Sequence, residues 1–99
     1  MERRRTERYE INVSANIVFN NNTYKGVIEN FSNGGLGVRC ALNENLKSIT
    51  TGSRIDVEFN VSYQNKVNFQ CETRWKREYN DQEHGAILKV GLEYIEMKD

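Results

Sequence analysis

The chain lacks net charge, long apolar runs and metal-binding clusters, and each shortage removes a class of function. Fourteen basic and fourteen acidic side chains cancel, so nothing global favours a nucleic-acid or membrane partner. No apolar run approaches the length of a membrane span. The charged amino terminus is not followed by an apolar signal segment, so a cytoplasmic location is expected. Cys40 and Cys71 show no Cys-x-x-Cys spacing, and the single histidine, His84, leaves no partners for zinc. Both cysteines lie in apolar-alternating runs and are expected as buried free thiols. His84 stands alone in a polar segment, as a surface residue does. No phosphate-cradling G-x-x-x-x-G-K, Ser/His/Asp set or paired-carboxylate motif occurs. The expectation is a binding module, not an enzyme, with no cofactor and no metal.

What is present is a domain's worth of short alternating runs. Ninety-nine residues make one domain whose single core buries roughly 60 to 65 per cent of the unfolded chain's surface. Residues 1–10 have no apolar period and read as an extended arm; residues 11–96 carry the strands. Ile11 to Phe19 sets Val13, Ala15, Ile17 and Phe19 on one face, and Asn20-Asn21-Asn22 supplies a turn. Tyr24 to Phe31 forms a second strand, and Leu36, Val38 and Cys40 a third. Ala41 to Thr51 is expected as a loop with up to one helical turn. Ser53 to Val61 alternates through Ile55, Val57, Phe59 and Val61. Val67, Phe69, Cys71, Thr73 and Trp75 face inward on a fifth strand. Tyr79 to Gly85 is a polar break, and Ala86 to Tyr94 a sixth strand. Six such runs with turns between them predict an all-β antiparallel barrel or sandwich, and closure favours the barrel because it removes exposed edges.

Two stretches stand out chemically. Glu29 to Val38 holds Asn30, Ser32 and Gly35 at the spacing N-x-S-x-x-G. An amide and a hydroxyl there both donate and accept, and glycine tolerates positive φ and lets a ligand approach the backbone. On local evidence alone this is a hairpin turn. The second stretch is the amino end, where Arg3, Arg4, Arg5 and Arg8 cluster and Arg4 and Arg8 form R-x-x-x-R. Guanidinium groups suit bidentate recognition of phosphate and of a purine edge.

Together the two motifs resemble the PilZ family of small β-barrel receptors for the bacterial second messenger cyclic di-GMP. The resemblance extends through Gly52, Trp75 and Gly91-Leu92-Glu93-Tyr94, covering nearly the whole chain. It implies a six-stranded barrel of the split-barrel type. It also implies that Arg4 and Arg8 hold guanine and phosphate, that Asn30 and Ser32 accept from the guanine Watson-Crick edge, and that Gly35 keeps the wall low. Many relatives have aspartate at the position of Asn30. An arginine at the position of Arg3 goes, in the family, with capture of an intercalated cyclic di-GMP dimer. The expected output is a switch in motility, exopolysaccharide or biofilm control, through a protein partner or a fused domain. Two alternatives compete: a barrel that binds single-stranded nucleic acid, and a PilZ-like scaffold without ligand. The first needs an exposed aromatic face, and the outward positions of the last two strands read as polar; intact Arg4, Arg8, Asn30, Ser32 and Gly35 oppose the second.

Overall fold

A computed structural model of the protein describes residues 8–95. Six strands run β1 (Tyr9–Phe19), β2 (Asn22–Phe31), β3 (Gly35–Ala41), β4 (Arg54–Asn60), β5 (Lys66–Asp81) and β6 (Gly85–Tyr94). They hydrogen-bond in the order β1-β2-β3-β6-β5-β4 and close into an antiparallel barrel through three β1–β4 pairs, Asn16–Glu58, Ile17–Val57 and Val18–Asp56. The chain contains no proline, so no strand position lacks a backbone donor for its ladder.

Alternation fills the interior. Ile17, Ile28, Val38, Ile55, Val57, Cys71, Leu88 and Val90 point inward and are buried. A single 3-10 turn, Asn45–Ser48, lies in the β3–β4 connection. Leu46 and Ile49 from this segment plug the core. Cys40 and Cys71 are free, buried thiols, and burial pushes their pKa values up to about 11 and about 12. The buried Thr73 hydroxyl finds no hydrogen-bond partner among the described residues.

Several expectations need correction. β1 begins at Tyr9, two residues before Ile11, because Tyr9 and Glu10 pair with Phe31 and Asn30. β5 continues through the expected polar break to Asp81, paired along that stretch with β6. Val61, read as inward, is 59 % exposed just past the end of β4. Trp75, also read as inward, is 49 % exposed, because the β5–β6 register slips between Thr73 and Trp75. An extra residue in one strand reverses the facing of everything after it.

Candidate functional site

Two bulges build the site. On β2, Ile28 pairs with Val38 but Asn30 pairs with Gly37, so Glu29 and Asn30 share one β3 position. On β5, Thr73 pairs with Leu92 and Trp75 with Gly91, so Arg74 is the extra residue. Ile28 and Thr73 face the core. Strict alternation would turn Asn30 and Trp75 inward as well. Each bulge instead sets two successive side chains on the outer surface, Glu29 with Asn30 and Arg74 with Trp75.

Between the bulges the sheet has no side chains. Gly37 and Gly91 pair directly across β3 and β6, completing a row Asn30–Gly37–Gly91–Trp75. The Asn30 amide lies over Gly37, where an added Cβ would meet Oδ1 at 2.7 Å, and the Trp75 indole lies against Gly91. The result is a shallow groove of about 650 Å³ in which the indole and the amide lie over the two glycines. Arg8 and Ser32 also line it, as do Arg74, Arg77 and Lys89.

Charges at the groove are arranged in pairs. Glu29 accepts from Arg39 Nε at 2.7 Å and lies 3.4 Å from Lys89 Nζ, all three side chains being about a quarter to a third exposed. Arg74 donates to Glu93 at 2.7 Å. Lys89 sits 5.8 Å from the centre of the Tyr79 ring, a cation–π distance. Arg77, which pairs with Lys89 along the ladder, has no ion pair among the described residues.

The N-x-S-x-x-G turn is fixed mostly by backbone. The Ser32 N–H donates to the Gly35 carbonyl at 2.9 Å, and the Gly34 N–H donates to Ser32 Oγ at 3.3 Å. Tyr94 ties the turn to β6: its N–H donates to the Gly34 carbonyl and its hydroxyl to the Ser32 carbonyl. Burial raises the Tyr94 phenol pKa, which keeps that hydroxyl a donor. Neither Gly34 nor Gly35 adopts positive φ. Gly35 is required for another reason, since a Cβ there would collide with the Leu92 carbonyl where β3 meets β6. Close packing of β3 on β6 therefore requires glycine here, and Gly35 lines the groove together with Gly37 and Gly91.

The structure thus brings together Arg8, Asn30, Ser32 and Gly35 from two distant stretches. The link is direct: Tyr9, next to Arg8, pairs with Phe31, between Asn30 and Ser32, and their ring centres are 5.2 Å apart. A β1 irregularity between Glu10 and Val13 holds Asn12 at φ 140°, a strained value for a side-chain-bearing residue. Arg3 and Arg4 lie outside the described residues. Sequence reasoning missed Glu29, Gly37, Arg74, Arg77 and Lys89, and misplaced Trp75; only Gly91 and Trp75 carried a signal, as parts of the family pattern.

A barrel with a glycine-floored, cation-rimmed groove on its outer face is the architecture of a small ligand-binding domain. The chain belongs to the PilZ domain family, whose model matches residues 2–99. Among solved structures, the chain is similar to the PilZ domain with c-di-GMP of YcgR from Escherichia coli, with a TM-score of 0.69 and 16% identity over 95% of this chain and 79% of that one. It is also similar to the inhibitor of motility MotI/DgrA of Bacillus subtilis (TM-score 0.64, 17% identity, 97% of this chain, 45% of that one). The PlzA protein of Borreliella burgdorferi in complex with c-di-GMP gives a TM-score of 0.65 at 13% identity over 87% of this chain. The chain spans less than half of these last two, 45% and 38% respectively. No curated protein sequence matches it. No helix among the described residues is long and apolar enough to cross a membrane, and no metal-holding group of His, Cys, Asp and Glu occurs among them.

Proposed function

We propose that this domain is a receptor for cyclic di-GMP that acts by binding alone, without catalysis. The observation that carries the reading is the row Asn30–Gly37–Gly91–Trp75 with Arg8 and Ser32 at its end. The two glycines let the Trp75 indole and the Asn30 amide settle onto the sheet, and an indole face offers a flat base a stacking contact worth about 1–3 kcal/mol per base. Arg8 faces the same groove, where a guanidinium bonds guanine O6 and N7 bidentately or neutralises a phosphate. Asn30 and Ser32 supply acceptors for guanine N1–H and N2–H. Arg4 and Arg3 add further guanidinium groups from the amino end. The relatives solved with c-di-GMP support the same ligand class here.

Calorimetric titration with cyclic di-GMP, against GMP, cyclic di-AMP and short RNA, tests this reading. Saturable binding of cyclic di-GMP alone is expected; no heat with it, or equal heat with all four, overturns it. From Arg3 we expect two ligands per chain as an intercalated dimer, falling to one in Arg3→Leu. Control of motility, exopolysaccharide or biofilm formation in the cytoplasm, through a protein partner or fused domain, goes with this reading.

One observation favours a second reading. Trp75 and Tyr79 are exposed beside Arg74, Arg77 and Lys89, so the aromatic face expected to be missing from the last two strands is present. Stacking aromatics among cations also suit single-stranded nucleic acid. The RNA arm of the titration decides between them.

A further inference from the structure

We infer that Glu29 is the residue that selects guanine in this groove, supplying the carboxylate that the neighbouring Asn30 does not. The inference rests on the cyclic di-GMP reading and deepens it. Its starting point is the β2 bulge, which turns Glu29 and Asn30 to the same outer surface. A carboxylate and an amide therefore stand side by side at the groove, and Glu29 lines it.

The Watson-Crick edge of guanine offers donors only where it differs from adenine: N1–H and the exocyclic N2 amino group. Adenine presents a lone pair at N1 and no group at C2. An amide oxygen accepts from guanine, but the same side chain rotated by half a turn donates to adenine N1, so Asn30 alone discriminates weakly. A carboxylate has no donor. It gains charge-assisted hydrogen bonds from guanine and meets the adenine N1 lone pair with repulsion. A site built around such an acceptor rejects the analogue that cannot satisfy it.

Glu29 is also held for the task. Arg39 Nε binds one carboxylate oxygen at 2.7 Å, Lys89 Nζ lies 3.4 Å from the other, and the side chain is 22% exposed. Two cations fix its direction, while each oxygen retains a free lone pair for a base. They also outweigh its charge, leaving the cluster net positive, so the carboxylate does not repel the ligand's phosphates. A counterion role alone would require only that Glu29 meet Arg39 and Lys89; it would not require it beside Asn30 on the groove.

The test is calorimetric titration of the unaltered protein, Glu29→Gln and Glu29→Asp with three ligands: cyclic di-GMP, cyclic di-IMP, which lacks the N2 amino group, and cyclic di-AMP. The unaltered protein should prefer them in that order. Glu29→Gln should weaken cyclic di-GMP by roughly tenfold, the size of one good base contact, and leave cyclic di-AMP unchanged or tighter, so that the preference collapses. If Glu29→Gln melts too low to titrate, Glu29→Asp carries the test: it keeps the charge, withdraws the carboxylate by one methylene, and should lose part of the preference. A variant that weakens all three ligands by one factor, or none, overturns the inference while cyclic di-GMP binding stands. An unaltered protein that binds none of the three overturns the receptor reading itself and the inference with it.

Discussion

The two sides of the barrel differ in how they treat alternation. On the β1–β4 side the strands alternate without interruption through the pairs that close the barrel, and the outer surface carries ordinary solvated charge. Arg54–Asp56 at 2.9 Å and Lys66–Glu58 at 3.9 Å are typical, and such pairs are worth about 0–1 kcal/mol. On the β2-β3-β6-β5 side alternation is broken twice, two facing positions are glycine, and an indole, an amide and a carboxylate cluster stand where regular strands would bury them or spread them out. The regular side is scaffold. The irregular side is where side chains are re-aimed, and bulges are enriched next to functional sites for that reason.

This contrast can be broken by substitution. The largest effect should come from Gly35→Val, whose side chain would run into the Leu92 carbonyl. Overpacking of this kind costs about 1–3 kcal/mol, so thermal melting should drop by several degrees at least, with or without ligand. Melting unchanged from the parent would show that β3 and β6 can separate there at no cost. Next is Arg8→Ala. Among the described residues its exposed side chain holds only Glu10, at 3.7 Å, so the fold should keep its melting temperature while cyclic di-GMP affinity drops roughly ten- to hundredfold, the loss of a charged hydrogen bond. Equal affinity in a titration would remove Arg8 from the site.

A smaller effect, of opposite sign, is expected inside the barrel. Thr73→Val replaces a buried hydroxyl without a partner by a methyl of similar shape, and should raise stability by about 1 kcal/mol, read as a higher denaturant midpoint. The smallest effect is expected away from the groove: Lys66→Ala, at the start of β5 beside Glu58 of β4, should change stability by no more than about 0.5 kcal/mol and leave ligand titration untouched.

The thiols give a pH test. Their folded pKa values, about 11 and about 12, lie above the ordinary 9.0, so the folded state holds these protons more tightly than the unfolded chain. The stability they support is intact below pH 9 and is lost as pH rises toward 11 and 12. Denaturant midpoints should therefore decline above pH 9. Cys40→Ala/Cys71→Ala, compared with itself across the same range, should show a shallower decline.

The scaffold was legible because period-two patterns such as Ile55, Val57 and the run Leu88, Val90, Leu92 report burial directly. Ala41 to Thr51 reads as a loop with up to one helical turn, and the 3-10 turn falls inside it. The groove was not, for physical reasons. A bulge is one extra residue, and neither Glu29 nor Arg74 differs in type from its neighbours enough to mark it. Trp75 followed the inward set in the sequence and left it only through the register slip. Gly37 and Gly91 are 54 positions apart, read from their numbers, and become one floor only when β3 pairs with β6. The end of β5 was hidden because Arg77 to Asp81 has no apolar period; it is extended because β6 lies alongside. Arg8, Asn30 and Ser32 stood out through motif spacing, and the Tyr9–Phe31 contact explains why Arg8 lies beside the other two.

The central claim is that ligand recognition belongs to the glycine-floored face alone. Amide and indole chemical shifts followed by nuclear magnetic resonance during titration with cyclic di-GMP test it most directly. The account predicts the largest changes at Ser32, Gly37, Gly91 and the Trp75 indole N–H, with Asp56, Val57 and Glu58 on the opposite side unmoved. Changes centred on β1 and β4, or none at Gly37 and Gly91 at saturating ligand, would contradict it.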